Sequence, residues 1–206
     1  MPGRLFLTTP MASVALALQA DATAVAAQPP RHNIAPGQEI AVLGPDRRLV
    51  PMRWGIIPVG RVNARGRPVM ETLVNVRSET LFEKSAFRGL RRAVVPADGW
   101  YEWTGKARRK TAHAIRAAQD ELLLFAAVFD VWTAPGGRAV PQVATVTCPP
   151  NADVRDIHHR MGVLLTADGA RGWLDGDDTA AAALMRPWPD GGLHVGLAGA
   201  VDWDAP

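Results

Sequence analysis

The chain has 206 residues, 48% of them hydrophobic, and a formal net charge of +3 at pH 7. This length supports one hydrophobic core, so we expect a single domain over residues 1–206. No apolar stretch is long enough to span a membrane. The one cysteine, Cys148, excludes an internal disulfide and a cysteine zinc cluster, and we expect it to be a buried apolar residue. These features exclude membrane-spanning and disulfide-stabilised classes and indicate a cytoplasmic protein.

The first predicted element is an alanine-rich helix over residues 11–28. Thr9 and Pro10 suit its cap and first turn. The segment carries Asp21 in its middle and is preceded by one basic residue, Arg4, which argues against a secretion signal.

Short β-like runs follow, each bounded by glycine, proline or charged turn residues. They cover residues 39–44, 47–54, 72–78, 91–97 and 99–105. A basic hairpin or loop is expected next, and two strongly apolar runs then predict central strands. These three segments are residues 104–113, 122–132 and 140–148.

The remaining chain predicts a polar connection, two helices and a closing strand. In order, these are residues 152–160, a helix over 166–174 beginning near Asp168, a helix over 177–185, and a strand over 193–201. The strands are grouped and do not alternate regularly with helices, and no phosphate-binding loop is present. The sequence therefore predicts an α+β, β-rich fold and not a doubly wound nucleotide-binding fold.

The charge is unevenly distributed. Residues 46–116 contain sixteen Lys and Arg but six Asp and Glu, a balance of +10, whereas the remaining residues carry −7. This asymmetry favours a polyanionic partner, although a solvated basic face has the same composition. Aromatic residues interleaved with these arginines favour nucleic acid, because exposed rings can stack on bases. They are Trp54, Trp100, Tyr101 and Trp103.

Three short stretches combine polar residues with apolar flanks. Asn75 and Arg77 alternate with valines, so both polar side chains share one strand face, where they could bind phosphate and sugar or remain a simple exposed face. Glu102 lies in an aromatic run, where a carboxylate is either ion-paired or has a raised pKa suited to proton transfer. His158 and His159 precede a strand entering the core, where a histidine could move protons or be surface decoration. No spacing here predicts a metal site.

Taken in order, these motifs resemble the SRAP family, the SOS response-associated peptidases, also called abasic-site processing proteins. The resemblance is carried by MPGR, RHNIAPGQ, MRWGIIP, NVRSETLFEKSAFRGLRRAVVPADGWYEW and IHHRMGVLL, and it is clearest over residues 1–174. It implies a single β-rich α+β domain with a basic groove for single-stranded DNA. It also implies a monomer that binds single-stranded DNA with abasic sites, without a cofactor, a membrane or an obligate protein partner.

The resemblance assigns roles to individual residues. Asn75 and Arg77 would position the N-terminus and the DNA backbone. Glu102 would donate and accept protons, and His158 would serve ring opening and proton transfer.

Further positions match motifs that line the DNA groove. Arg4 and Arg53 would contact phosphates, and Trp54 would stack on a base or act as a wedge.

One departure lies at the centre of the motif, because position two is Pro2 where the family has cysteine. Without a thiol, the family's thiazolidine crosslink cannot form. If Met1 is removed, the secondary amine of Pro2 could attack an abasic aldehyde and form an iminium ion, as in an unrelated class of DNA glycosylase-lyases. Two hypotheses follow: a lyase-like protein that uses the Pro2 amine, or a non-catalytic binder of single-stranded or damaged DNA. A second departure is Gly162, where the family commonly has proline.

Overall fold

A computed structural model describes residues 2–57, 72–106, 109–134 and 136–205. The strands are β1 (Arg4–Leu7), β2 (Arg31–Ile34), β3 (Glu39–Leu43), β4 (Leu49–Trp54), β5 (Asn75–Arg77), β6 (Arg91–Ala97), β7 (Gly99–Lys106), β8 (Arg109–Ala117), β9 (Leu123–Thr133), β10 (Ala139–Cys148), β11 (Met161–Gly162), β12 (Leu164–Leu165) and β13 (Leu193–Leu197). The helices are α1 (Met11–Leu18), α2 (Ala167–Asp175) and α3 (Asp178–Leu184). None of the helices among the described residues is long and apolar enough to cross a membrane.

One sheet is antiparallel throughout, with five strands in the order β13-β8-β7-β1-β2. Strand β1 pairs with β7 so that Arg4 lies opposite Tyr101. Successive side chains of a strand point to opposite faces. Trp100 and Glu102 therefore share one face of β7, and Tyr101 and Trp103 share the other.

The second sheet closes on itself. Strands β10, β4, β3, β6 and β9 are paired in that order, and β9 pairs again with β10, which closes a five-stranded ring. Strands β4 and β5 both pair in parallel with β10, β4 near the start of β10 and β5 further along it. In the pairing with β5, Thr145 lies opposite Asn75. This parallel pairing places β5 against the buried part of β10, which covers residues 142–148.

The core contains large, completely buried aromatic side chains, and Trp173 of α2 is one of them. Its indole N–H donates to the carbonyl oxygens of Ala93 on β6 and Ala127 on β9, at 2.9 and 3.1 Å. These two bonds hold α2 against the closed sheet while the ring adds apolar burial.

The α+β, β-rich fold predicted from the sequence is confirmed. The predicted strands at 39–44, 91–97 and 99–105 correspond to β3, β6 and β7, the central runs to β9 and β10, and the two late helices to α2 and α3. Strands β5 and β13 are shorter than predicted. Strands β1 and β2 have no counterpart in the sequence prediction. The strand expected after the histidine pair is divided into β11 and β12, and β8 begins within the segment predicted as a basic hairpin or loop.

The first helix is shorter than predicted. It ends at Leu18, because Gln19 adopts a left-handed backbone conformation (φ 51°) that closes the helix. Asp21 then accepts hydrogen bonds from the N–H and hydroxyl of Thr23 at 2.9 and 2.6 Å, which starts a separate short turn.

Thr9 does not cap this helix, whose N-cap is Pro10 without a side-chain bond. The hydroxyl of Thr9 instead donates to Asp98 at 2.7 Å, and Thr8 donates to the same carboxylate through its N–H and hydroxyl. The expectation was wrong because the Thr9 hydroxyl donates to this carboxylate, 89 residues further along the chain, and does not accept a bond from a backbone N–H of the first helical turn.

Candidate functional site

Asn75 connects the first residues of the chain to β5. Its Nδ2 donates a hydrogen bond to the carbonyl oxygen of Pro2 at 3.0 Å. Its Oδ1 accepts a hydrogen bond from the hydroxyl of Thr145 on β10 at 2.6 Å. Pro2 is buried, so the start of the chain is held against the sheet and not displayed as a loose end.

Glu102 is a buried carboxyl group on β7, with 4% of its surface exposed. Burial raises its pKa to about 7, while the positive charge of the chain's amino terminus acts in the opposite direction. Both alternatives raised by the sequence are thus represented: burial raises the pKa of this carboxyl group, and a cationic group acts against that rise. A carboxyl group that titrates near neutral pH can both donate and accept protons under physiological conditions.

Glu102 has two polar neighbours that the sequence analysis did not single out. His113 of β8 lies directly opposite Glu102, and Thr104 is two residues further along β7 on the same face. The hydroxyl of Thr104 and Nε2 of His113 are 2.9 Å apart. Polar groups therefore line the strand from the buried carboxyl group outwards.

His158 lies in a turn that follows β10. Its Nδ1 lies 2.9 Å from the backbone nitrogen of Arg160 and 3.1 Å from the carbonyl oxygen of the same residue, so the backbone of Arg160 orients the ring through this nitrogen. Burial lowers the pKa of His158, and the positive charge of the amino terminus lowers it further. His158 also stacks on His159, with ring centroids 4.3 Å apart. At neutral pH the imidazole is therefore a neutral acceptor or donor and not a fixed cation.

Arg160 fixes the turn that carries His158. Its side chain is only 10% exposed, and both terminal nitrogens bind the carboxylate of Glu79. It also donates to the carbonyl oxygen of Thr147 on β10 at 2.6 Å. The guanidinium thus joins the histidine turn, the segment after β5 and β10. Sequence reasoning missed both members of this pair, and the available signal was a charge at 160 directly before the apolar run at 161–165.

Four of the residues predicted from sequence are thereby connected. Asn75 binds Pro2, and the amino-terminal charge acts on both Glu102 and His158. The arrangement combines a carboxyl group whose pKa is about 7, a histidine whose pKa is lowered, and an anchored chain start.

The predicted DNA-binding arginines differ in their surroundings. Arg77 at the end of β5 is exposed and has no carboxylate partner among the described residues. Arg53 is half-buried and donates to the carbonyl oxygen of Gly55 at 2.7 Å. Of these arginines, Arg77 is therefore the one that presents its charge to solvent.

Arg4 is engaged within the protein. Its guanidinium donates to Oδ1 of Asn33 at 2.6 Å and to the carbonyl oxygen of Trp203 at 3.3 Å. Asn33 is 2% exposed and donates in turn to the carbonyl oxygens of Asp202 and Ala205. As arranged here, Arg4 holds the 202–205 segment on β1 and β2.

Trp54 cannot stack on a base in this structure, because its side chain is completely buried. The expectation of a stacking or wedging role is corrected: strand β4 turns this ring into the core, and a strand pattern alone does not say which of its residues face inwards. Trp100 and Tyr101 are also buried, and the ring of Trp103 contacts Trp203 with centroids 5.3 Å apart.

A surface cavity of about 490 Å³ carries part of the basic charge. Its lining includes Lys84, Arg88, Arg91 and Arg92, and it does not include Asn75, Glu102 or His158. Arg92 is paired with Asp178 at 2.7 Å. Arg61, Arg65, Arg67 and Arg108 of the basic region lie outside the described residues, as does Met1.

The remaining expectations concern a thiol and a metal. Cys148 is completely buried, and burial raises the pKa of its thiol to about 12, which confirms an unreactive core residue. Among the described residues, no three His, Cys, Asp or Glu side chains are grouped as a metal site would need.

Comparison with known proteins identifies the family. The profile of the SOS response associated peptidase family (SRAP) matches residues 1–196. The chain belongs to the SRAP family.

Relatives of this SRAP protein occur in bacteria and vertebrates. It is 34% identical over 169 residues to the abasic site processing protein YoqW of Bacillus subtilis, which covers 77% of this chain and 74% of the relative. It is 31% identical over 176 residues to the abasic site processing protein HMCES of Gallus gallus, covering 72% and 52% respectively.

Solved structures share the fold of this SRAP protein. A protein from Bacteroides thetaiotaomicron superposes with a TM-score of 0.82 at 19% identity, covering 94% of this chain and 90% of the other. A protein from Bordetella bronchiseptica gives a TM-score of 0.80 at 22% identity, covering 97% and 100%. The resemblance stated from the sequence motifs is therefore confirmed at the level of family and fold.

Gly162, the second departure from the family pattern, has a packing reason. A Cβ atom at this position would lie 2.4 Å from the ring of Phe125, closer than real side chains approach. The ring of Phe125 packs edge-on against Trp100, with centroids 5.6 Å apart. The strand that follows the histidine turn in this SRAP protein therefore accommodates a core ring where a larger residue would displace it.

Proposed function

We propose that the protein processes abasic sites in single-stranded DNA through the N-terminal amine of Pro2. After removal of Met1, the secondary amine adds to the aldehyde of the open sugar and, with loss of water, forms an iminium ion. A base then removes a proton from the neighbouring sugar carbon, and the 3′ phosphate leaves. Hydrolysis of the iminium regenerates the amine.

The observation that carries this proposal is the hydrogen bond from Asn75 to the carbonyl oxygen of Pro2. It supports a role for the chain start as a positioned group, since reactions gain most from a nucleophile held in place. Burial raises the pKa of Glu102 to about 7. This carboxyl group therefore suits both the protonation of the departing hydroxyl and the removal of the sugar proton. His158, neutral at this pH, is the second group for proton transfer.

The relatives support the substrate class. YoqW and HMCES are named abasic site processing proteins, and they match most of this chain. By this likeness the substrate is DNA with an abasic site.

The charge distribution supports a polyanionic substrate such as DNA. The excess of Lys and Arg over residues 46–116 and the exposed Arg77 provide phosphate contacts. Arg53 and Arg4 are second contributors, and Arg4 would have to exchange its bond to Trp203 for a phosphate. The protein would act as a monomer, in the cytoplasm and on the nucleoid.

A second candidate is a non-catalytic binder of single-stranded or damaged DNA. Pro2 itself favours this alternative, because it has no thiol, and its nitrogen is part of a peptide bond as long as Met1 remains. The acid–base pair of Glu102 and His158 favours the catalytic form, since a binder has no use for it.

Strand cleavage separates the two candidates. The protein is incubated with a single-stranded oligonucleotide that contains one abasic site, and with the same oligonucleotide carrying a tetrahydrofuran residue, which has no aldehyde. The catalytic proposal predicts cleavage of the first and binding of both. Binding of both without cleavage or adduct identifies the binder.

A further inference from the structure

Thr145 is a completely buried polar residue to which neither the motifs nor the comparisons assign a role. It lies on β10 directly opposite Asn75 of β5. Its hydroxyl donates to Oδ1 of Asn75 at 2.6 Å, and its backbone N–H donates to the carbonyl oxygen of Val74 at 3.2 Å. The side chain therefore contacts the same amide that holds Pro2.

The chemistry of the three groups leaves one consistent orientation for this amide. The carbonyl oxygen of Pro2 can only accept, so the Asn75 group that faces it must be the NH₂. The other end of the amide, Oδ1, then faces Thr145, whose hydroxyl must donate. If the amide were reversed, two oxygen acceptors would face each other at Pro2.

We propose that Thr145 is a positioning residue, whose hydroxyl locks the amide of Asn75 so that Nδ2 holds the carbonyl of Pro2. The proposal rests on the proposed function, because it makes the placement of the Pro2 amine depend on β10. Thr145 does not touch the abasic sugar; it acts through Asn75.

The identity of residue two explains why this lock matters. While Met1 is present, Pro2 has no N–H to donate, and its carbonyl oxygen remains its backbone acceptor after Met1 is removed. The described contact to that oxygen comes from Asn75. Rotation of the amide would therefore remove this contact to residue two.

The neighbouring threonine of β10 serves a different purpose. The hydroxyl of Thr147 donates to the backbone carbonyl of Val76 at 3.3 Å, and the carbonyl oxygen of Thr147 accepts from Arg160. Thr147 thus stabilises strand pairing and the histidine turn, while Thr145 alone contacts the Asn75 side chain among the described residues of β10.

The test removes the hydroxyl group of Thr145 while keeping the shape of the side chain. Thr145→Val replaces the hydroxyl by a methyl group, and Thr145→Ser retains the hydroxyl. Thr133→Val is the matched control, because Thr133 is exposed at the end of β9. Each protein is compared by the side-chain amide NMR signals of Asn75, by affinity for intact single-stranded DNA, and by the rate of borohydride-trapped adduct on abasic DNA.

We expect Thr145→Val to shift or broaden the Asn75 amide signals and to slow adduct formation by about tenfold, because the nucleophile is no longer held in place. Its affinity for intact DNA should stay within about twofold, since the change affects the reacting group and not the phosphate contacts. Thr145→Ser and the control should behave like the unaltered protein. Should Thr145→Val not fold, Thr145→Ala against Thr145→Ser gives the same comparison, because these two differ only in the hydroxyl.

Unchanged amide signals and an unchanged adduct rate in Thr145→Val would overturn the positioning role. The other outcome is that the unaltered protein forms no adduct, while its Asn75 signals change in Thr145→Val and are retained in Thr145→Ser. That outcome would refute the proposed function and leave the contact between Thr145 and Asn75 established. The two failures are thereby distinguishable.

Discussion

The carboxylate of Glu79 binds both terminal nitrogens of the Arg160 guanidinium. These residues are 81 positions apart, and the pair joins the segment after β5 to the turn that carries His158. Because Arg160 is buried, the Glu79 carboxylate is the group that compensates its positive charge.

Replacing Glu79 by Ala should lower the free energy of unfolding by about 2 kcal/mol, because it leaves the buried Arg160 guanidinium without its carboxylate, although that carboxylate is itself half exposed. Replacing Arg160 by Ala should cost about 3 kcal/mol, because it empties a buried position. Urea unfolding measures both, and Asp168→Asn, which breaks the exposed pair with Arg171, should change little. Equal small effects at all three positions would contradict a structural role for the Glu79–Arg160 pair.

The same pair predicts a pH dependence. The hydrogen bonds from Arg160 hold the pKa of Glu79 down to about 2, below its ordinary value of 4.5. The contribution is therefore complete above pH 4.5 and is lost as the pH falls towards 2. The stability difference between the unaltered protein and Glu79→Ala should shrink over this range, and a difference that stays constant would contradict the assignment.

Glu102 predicts the opposite dependence. Because burial raises its folded pKa to about 7, ionising it in the folded state is unfavourable, and stability falls as the pH rises from 4.5 to 7. Glu102→Gln should remove this loss and gain up to about 3 kcal/mol relative to the unaltered protein at pH 8. The Glu102→Gln variant should bind DNA almost normally but turn over more slowly. In the unaltered protein, the turnover rate should change around pH 7. Loss of binding in Glu102→Gln would instead make Glu102 a structural partner.

Arg77 should contribute a phosphate contact. Arg77→Gln should weaken binding to single-stranded DNA several-fold and reduce the slope of log affinity against log salt by about 1. Arg171→Gln on α2 removes the same charge at an already paired surface position and serves as the control. Affinity that does not respond to salt would contradict a basic binding surface.

Trp54 should matter for stability and not for DNA contact. Trp54→Phe should lower the free energy of unfolding by about 2 kcal/mol through the cavity it leaves, while affinity for single-stranded DNA stays within twofold. Unfolding curves and fluorescence anisotropy on labelled DNA measure the two effects. A large loss of affinity at unchanged stability would restore the stacking role.

Long, strongly apolar segments of the fold could be predicted from the sequence. Strands β9 and β10 contain continuous buried runs, at residues 123–129 and 142–148, and α2 and α3 begin at side-chain caps, Thr166 and Asp177. Strands β1 and β2 have four residues each, and they form because β1 pairs with β2 and with the distant β7. A pattern confined to neighbouring residues carries no information about such partners.

The candidate site divides in the same way. Asn75, Glu102 and His158 could be selected because polar residues in apolar surroundings are unusual, and motif order then gave them roles. The bonds that orient them, from Thr145 and from Glu79 through Arg160, join residues separated by 70 and 81 positions. The burial of Trp54 could not be predicted from the sequence either, because it depends on how the strands close into a ring.

The most direct test of the central claim is borohydride trapping on single-stranded DNA with one abasic site, with the intact mass of the protein recorded beside it. Our account predicts a protein without Met1 and a reduced covalent adduct that maps to Pro2. Binding without an adduct, although the Pro2 terminus is free, would contradict it and leave a DNA-binding protein without covalent chemistry.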